Sequence, residues 1–183
     1  MPVVLSDRIY TVEDYMKMDD GRRYELIGGE LFVVPSPRPK HQKVSGRIFY
    51  QFENFLRNNN LGEVFHAPID IVLGKHIVQP DVIFIAKERL DIIGELNIQS
   101  APDLVVEVLS PSTAAHDKKK KSQLYLKHGV KEYWLVDPDA KIVDVFKAGE
   151  QEWRWVGTFD QDDILNSTLL PGLEIKLIEI FQG

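Results

Sequence analysis

The sequence contains no cysteine in its 183 residues, and this absence excludes disulfide bonds and thiolate metal clusters. It also lacks an excess of positive charge, because its charged residues sum to a net of -6 at pH 7. A chain of this charge is unsuited to coating nucleic acid through bulk electrostatics. Any nucleic-acid binding must therefore come from a local site.

Long apolar runs are missing as well, since none approaches the ~20 residues that a membrane span requires. The first residues lack the basic region and longer apolar stretch of a secretory signal, so we expect a cytoplasmic protein with no membrane contact. With 44% hydrophobic and 27% charged residues, the composition is that of a folded globular protein. We expect a single domain over residues 1–183.

Three segments have the residue pattern of helices. Apolar residues recur every three or four positions over residues 41–59, which is the clearest amphipathic helix of the sequence. A capping pattern begins a short helix over residues 11–18. A third helix is predicted over residues 114–128, because Gly129 suits the left-handed conformation that ends many helices.

Runs rich in β-branched and aromatic residues predict strands through the rest of the sequence. Gly28-Gly29 tolerates the positive φ angles of a tight turn and predicts a hairpin. The predicted strands are 24–27, 30–34, a pair at 64–73 and 77–85, then 103–109, 132–136, 141–146 and a last pair at 152–156 and 173–177. We therefore expect a mixed α/β (α+β) fold, with a central mixed β-sheet flanked by α-helices and additional β-hairpins.

Glu107 is an acidic residue inside the apolar run 104–109, whose pattern is that of a strand buried on both faces. Burying an unpaired carboxylate carries a free-energy penalty of roughly several kcal/mol, even after the surroundings relax. A raised pKa, a basic partner or a bound cation could compensate it. A second acid, Asp81, stands directly after Pro80 at the start of another apolar run, and it favours the cation.

Asp81 and Glu107 on adjacent strands would form a pair of oxygen ligands that suits Mg²⁺. The alternative is that Glu107 pairs with a core lysine or arginine and Asp81 only begins a strand. Downstream, Lys121 and Tyr125 lie four residues apart, on one stripe of the predicted helix that also carries Asp117. A lysine of this helix could turn back toward Glu107, although a basic run is also typical of a solvated helix face.

These residues together resemble a known family. Pro80-Asp81 followed by residues 106–109 is similar to the metal-binding half of the PD-(D/E)XK nuclease superfamily. The longer string of residues 103–113, with Lys121, Tyr125 and residues 132–138, resembles the Uma family of restriction endonucleases. Residues 24–27 and 29–31 and His41 are similar to the N-terminal signature of that family, so the resemblance covers roughly residues 12–139.

The resemblance implies a restriction endonuclease-like fold and Mg²⁺-dependent (or Mn²⁺-dependent) hydrolysis of DNA phosphodiesters. It implies that Asp81, Glu107 and the carbonyl of Val108 bind the metal. Leu109 stands where the superfamily has a lysine, so the resemblance gives the role of that lysine to Lys121, with Lys118 as the alternative. A homodimer is expected from the geometry of double-strand cleavage.

Several assignments stay open at this point. The resemblance adds Glu25 to the catalytic residues, but Glu25 could instead be a hairpin acid with a basic partner on the opposite strand. His41 could contact phosphate or have a structural role at the start of a helix. The fold could also serve a catalytically inactive protein that binds nucleic acid or a protein partner, or an enzyme that hydrolyses small phosphoesters.

Overall fold

The computed structural model describes residues 8–110 and 114–182, apart from the side chains of residues 114–119. The helices of this part are α1 (Val12–Met16), α2 (Pro39–Leu56), α3 (Ala114–His128) and α4 (Leu177–Phe181), with a 3₁₀ helix at Lys87–Ile92. The strands are β1 (Tyr24–Ile27), β2 (Glu30–Val33), β3 (Gly62–His66), β4 (Ile71–Leu73), β5 (His76–Val78), β6 (Val82–Ala86), β7 (Leu104–Val108), β8 (Glu132–Asp137), β9 (Ile142–Ala148), β10 (Trp153–Asp160), β11 (Ile164–Asn166) and β12 (Glu174–Lys176).

A six-stranded sheet with the order β10-β9-β8-β7-β6-β3 forms the centre of the fold. β7 and β8 are parallel, and every other neighbouring pair in this large sheet is antiparallel. α3 links β7 to β8, because parallel neighbours require a crossover connection. The predicted central mixed sheet with flanking helices is confirmed.

β7 has helices packed on both of its faces, which explains its nearly continuous run of apolar residues. Val106 and Val108 belong to a core that includes Phe52 of α2, whereas Val105 packs with Tyr125 of α3. Because side chains alternate along a strand, Glu107 projects to the same side as Val105, toward α3. The sheet thus directs Glu107 at the helix that carries Lys121.

A second, four-stranded sheet has the order β2-β1-β5-β4. β1 and β2 form the predicted hairpin, in which Gly28 and Gly29 have φ angles of 65° and 85°. Two successive positive φ angles suit the tight hairpin turns that glycine favours. Leu26 pairs with Ile77 and joins the hairpin to β5.

The helix predictions are confirmed with shifted ends. α2 begins at Pro39 and ends at Leu56, against the predicted 41–59, because Pro39 suits the first turn of a helix. α3 has the predicted bounds, and Gly129 follows it with a φ angle of 93°. Among the described residues, no helix combines the length and apolar character needed to cross a membrane.

The strand pair predicted at 64–73 and 77–85 is divided between the two sheets. β3 pairs with β6 in the large sheet, and β4 pairs with β5 in the small sheet. Pro68 and Pro80 separate the pieces, because proline has no N–H to donate to a strand ladder. The chain therefore passes from the small sheet to the large sheet at Pro80-Asp81.

The last two predicted strands, 152–156 and 173–177, are present as β10 and β12, but their predicted pairing with each other is wrong. β10 pairs with β9 in the large sheet, while β12 pairs with β11 in a separate two-stranded sheet. β11 has only three residues, so its sequence gives little of the alternation by which a strand is predicted.

Candidate active site

A cleft opens where the small sheet, the beginning of α2 and the end of β7 meet. Its volume is about 170 Å³, which exceeds the space of one water molecule and admits a hydrated ion. The residues that line the cleft include every residue predicted for the site, namely Glu25, Asp81, Glu107, Val108 and Lys121. The structure brings these residues together, and their catalytic roles stay predictions.

Asp81 and Glu107 approach the cleft from neighbouring strands. Val82 of β6 pairs with Val106 of β7, so the next step along both strands sets Asp81 opposite Glu107. The backbone N–H of Val108 donates to Oδ2 of Asp81 over 2.8 Å and fixes this carboxylate against β7. The predicted pair of acids on adjacent strands is therefore present.

Lys121 points inward from α3 and is only 5% exposed. Its Nζ lies 2.7 Å from Oε1 of Glu107 and donates to Oε1 of Glu25 over 2.8 Å. The interpretation of the basic run as a solvated face fails for this lysine, although the neighbouring Lys120 is exposed. The side chain of Lys118, the alternative lysine, lies outside the described residues, as does that of Asp117.

Tyr125, one helical turn after Lys121, is the second residue of α3 that holds Glu107. Its fully buried hydroxyl donates to Oε1 of Glu107 over 2.5 Å. Burial raises the pKa of Tyr125, and the charges of Glu107 and Glu25 raise it further, to well above its ordinary value. Tyr125 is therefore a neutral donor that fixes the orientation of the Glu107 carboxylate.

Glu25 lies on β1 and is 6% exposed. Its Oε1 accepts the backbone N–H of Gln79 over 2.7 Å in addition to the ammonium of Lys121. Phe32 stands opposite Glu25 on β2, so a basic cross-strand partner is not what compensates this acid. Glu25 instead connects the small sheet to the lysine of α3.

His41 lies in the first turn of α2 and also lines the cleft. Its Nε2 lies 3.2 Å from Oδ2 of Asp81. Burial lowers the pKa of His41, but the hydrogen bond and charge of Asp81, together with smaller contributions from other groups of the site, outweigh it, and the net shift is upward. This contact favours a place in the site over a capping role. The signal in the sequence was the similarity of His41 to the N-terminal part of the family pattern.

Three acidic side chains lie close together in the site: Glu25 and Glu107 contact the ammonium of Lys121, and Asp81 stands opposite Glu107 on the neighbouring strand. Burial raises the pKa of Glu107 to about 7; Lys121 opposes this rise, whereas Asp81 and Glu25 add to it. Burial lowers the pKa of Lys121, but Glu107 and Glu25 raise it well above its ordinary value, so Lys121 keeps its proton. A cation beside Glu107 would favour the ionised form of this carboxyl.

The two acids each keep one oxygen that has no hydrogen bond to the described residues. The contacts of Glu107 fall on Oε1, and those of Asp81 fall on Oδ2. In the described ranges, no group of three or more acidic, histidine or cysteine side chains is arranged to hold a metal ion by itself. Mg²⁺ commonly takes one or two carboxylates and completes its shell with water and phosphate oxygens, so this donor set fits Mg²⁺.

Comparison with known proteins finds similarity over most of the chain. The model of the Uma2 family, described as "Putative restriction endonuclease", matches residues 12–178. Two uncharacterised proteins of Synechocystis sp. (strain ATCC 27184 / PCC 6803 / Kazusa) are similar in sequence. One is 28% identical over 172 residues, covering 91% of this chain and 84% of that protein. The other is 25% identical over 166 residues, covering 84% of this chain and 89% of that protein.

A solved structure has the same fold. It is the crystal structure of "a putative nuclease belonging to DUF820" from Anabaena variabilis ATCC 29413, with a TM-score of 0.79 and 24% sequence identity. The match covers 93% of this chain and 97% of the other. At this identity the likeness concerns the arrangement of helices and strands.

Proposed function

The chain belongs to the Uma2 family, and from this premise we propose that it is a Mg²⁺-dependent endonuclease that hydrolyses DNA phosphodiester bonds. The observation that supports this proposal most is the ion pair of 2.7 Å between Lys121 and Glu107, in a cleft that Asp81 also lines. A buried amine beside two carboxylates, each with one oxygen that no described residue contacts, is suited to phosphoryl chemistry.

Asp81, Glu107 and the carbonyl of Val108 are the groups that would hold Mg²⁺ or Mn²⁺. When bound, such an ion polarises a phosphoryl oxygen and lowers the pKa of water. Asp81 is already oriented by the N–H of Val108, and Glu107 by Tyr125, so neither carboxylate must be ordered at the moment of binding. Their preorganisation lowers the entropic cost of assembling the site.

Lys121 supplies the positive charge of the mechanism. Its ammonium is held between Glu25 and Glu107, so it occupies one position rather than sampling solvent. A fixed and buried ammonium stabilises negative charge on a phosphate far more than a solvated one does. Glu25 acts through Lys121 and is a positioning residue.

We also propose a homodimer as the form that cuts duplex DNA, because cleavage of both strands requires two sites. The net charge of -6 means that attraction to DNA must be concentrated at the cleft. Size-exclusion chromatography with light scattering, with and without DNA, tests the dimer separately from cleavage. A monomer at every concentration, including in the DNA complex, would contradict this part of the proposal.

The deciding experiment is the incubation of purified protein with plasmid DNA and Mg²⁺ or Mn²⁺, with EDTA in a parallel series. Asp81→Asn and Lys121→Met should each lower the cleavage rate by about 100-fold or more, because each removes a charge that acts on the phosphate. Asp139→Asn and Lys120→Met are matched controls. They make the same charge changes at exposed positions outside the cleft and should cleave like the unaltered protein.

Each other outcome contradicts the proposal in a distinct way. Equal cleavage by all four variants would identify a contaminating nuclease. DNA binding that persists in EDTA without cleavage would favour a nuclease fold that has lost catalysis. Hydrolysis of nucleotides without hydrolysis of polymers would favour a small-molecule phosphoesterase.

A further inference from the structure

Buried polar atoms without a hydrogen-bond partner collect around the cleft. Among the described residues they include Nε of Arg23, Nδ1 of His41 and Oε1 of Gln79, and all three residues line the cleft. A buried polar atom that stays unpaired costs about 1–3 kcal/mol. Their concentration at one place indicates that the cleft is shaped for a polar ligand larger than a single ion.

Arg23 is the member of this group that carries a permanent charge. It precedes β1, and its carbonyl accepts the N–H of Val34 over 2.9 Å, so the hairpin ladder fixes its backbone. Its buried Nε has no hydrogen-bond partner, and Arg23 forms no ion pair within the described residues. A half-buried guanidinium without an acidic partner, on the wall of a cleft, is available to an anion.

The position of Arg23 relative to the site follows from strand geometry. Arg23 and Glu25 are two residues apart, so their side chains project to the same side of the hairpin. At a rise of roughly 3.3 Å per residue, Arg23 lies about 7 Å along the strand from the acid that holds Lys121. This separation is comparable to that between successive phosphates of one DNA strand.

We infer that Arg23 binds the phosphate next to the scissile one, through a bidentate contact to its non-bridging oxygens. The inference rests on the proposed function, because it takes Lys121 as the group beside the scissile phosphate. A planar guanidinium matches the geometry of phosphate oxygens, which an ammonium does not. Arg23 thereby sets the position of the DNA strand without reading its sequence.

Arg38 also lines the cleft, but it is a weaker candidate for this role. It is exposed at the N-terminal end of α2, and its charge lowers the pKa of Asp139, so it lies near an acid that already attracts it. Within the described part of the chain, Arg23 has no such acid. The unpaired Nε is the observation that distinguishes the two arginines.

The test measures the binding of a short fluorescein-labelled DNA duplex in Ca²⁺, over a series of NaCl concentrations. Each phosphate contact contributes roughly -0.9 to the slope of log K against log salt for duplex DNA. Arg23→Gln should therefore make the slope less negative by about 0.9. It should also weaken binding roughly tenfold, as the loss of a charge-assisted hydrogen bond does.

Arg22→Gln is the matched control, because it removes the same charge one position away, from a residue that does not line the cleft. It should leave the slope and the affinity unchanged. Arg23→Lys should retain the slope, since it keeps the charge, but bind more weakly than the unaltered protein because it loses the fork of donors. Arg22→Lys is the control for that comparison, and the two lysine variants together keep the binding measurement decisive if Arg23→Gln fails to fold.

Identical slopes for Arg23→Gln and Arg22→Gln, with DNA binding intact in the unaltered protein, would overturn this inference and leave the proposed function standing. A protein that neither binds nor cleaves DNA would overturn both. Equal thermal midpoints for the two glutamine variants are expected, because Arg23 has no described side-chain partner to lose.

Discussion

The hydroxyl of Tyr125 donates to the same oxygen of Glu107, Oε1, that the ammonium of Lys121 contacts. Tyr125→Phe removes this donor and keeps the buried ring. We expect a loss of about 1–2 kcal/mol in the free energy of unfolding, because Lys121 still satisfies the carboxylate. Urea denaturation measures it. Tyr50→Phe, at a residue 63% exposed, should change nothing, and equal effects of the two substitutions would contradict a special role for Tyr125.

Glu25→Gln should destabilise the protein more than Glu30→Gln, although both remove an acid that pairs with a lysine of α3. Glu25 and Lys121 are buried, whereas Glu30 and Lys120 are each about half exposed, with 3.3 Å between their charged atoms. We expect about 2 kcal/mol for Glu25→Gln, the value of a hydrogen bond to a charged group. Glu30→Gln should cost less than about 1 kcal/mol. Equal losses in urea denaturation would show that the Glu25 pair contributes no more than a surface ion pair.

Mn²⁺ should raise the thermal midpoint of the protein, because an ion that binds only the folded state stabilises it. At an ion concentration 100 times Kd the gain is about 2.7 kcal/mol. Asp81→Asn should abolish the rise, while Asp139→Asn, at an exposed acid paired with Lys40, should keep it. Differential scanning calorimetry with and without Mn²⁺ measures both. A rise that survives Asp81→Asn would locate the ion elsewhere.

Asp103 should make the stability depend on acid pH. It is fully buried, pairs with Lys131 at 2.8 Å and Arg89 at 3.1 Å, and accepts the N–H of Ala86. Burial raises the pKa of Asp103, but these three groups together lower it more, and the net shift is downward. A carboxyl whose pKa is lower in the folded state than in the unfolded chain stabilises the protein. This stabilisation is fully present above the pKa of the unfolded chain, about 3.9, and it is lost as pH falls through the pKa of the folded state.

The measurement for Asp103 compares urea denaturation of the unaltered protein and Asp103→Asn from neutral to acid pH. We expect the variant to be less stable by roughly 3 kcal/mol at neutral pH, since it leaves buried donors without their anion. The difference should shrink below about pH 4, as the carboxyl of the unaltered protein takes up its proton. A difference that stays constant to the lowest pH would exclude the ionised carboxylate as its source.

The sequence predicts the acids and the lysine at the centre of this site because an acid stands where a buried strand should have an apolar residue. Glu107 interrupts a run of apolar residues, and a buried acid requires compensation that Asp81 and Lys121 were available to supply. The resemblance to a nuclease family added Glu25, which no periodicity singles out. These residues lie in the cleft together, as predicted.

The residues at the periphery of the site could not be predicted from the sequence. Arg23 and Gln79 are ordinary surface residue types, and only the folded chain reveals that polar atoms of both are buried without partners. The passage of the chain from one sheet to the other at Pro80 was also missed, because the residue pattern of a strand does not indicate which sheet the strand joins. Short strands such as β11 carry too few residues for a pattern to emerge.

The hairpin of β1 and β2 carries both Glu25, which contacts Lys121, and Arg23. Both lie on one continuous segment of about a dozen residues, 23–34. Its ends join the rest of the molecule without contributing the predicted metal ligands, which come from β6 and β7. Exchanging this segment between relatives would therefore change both the proposed contact with the DNA strand and the acid that positions Lys121, while the predicted metal ligands of the host stay in place.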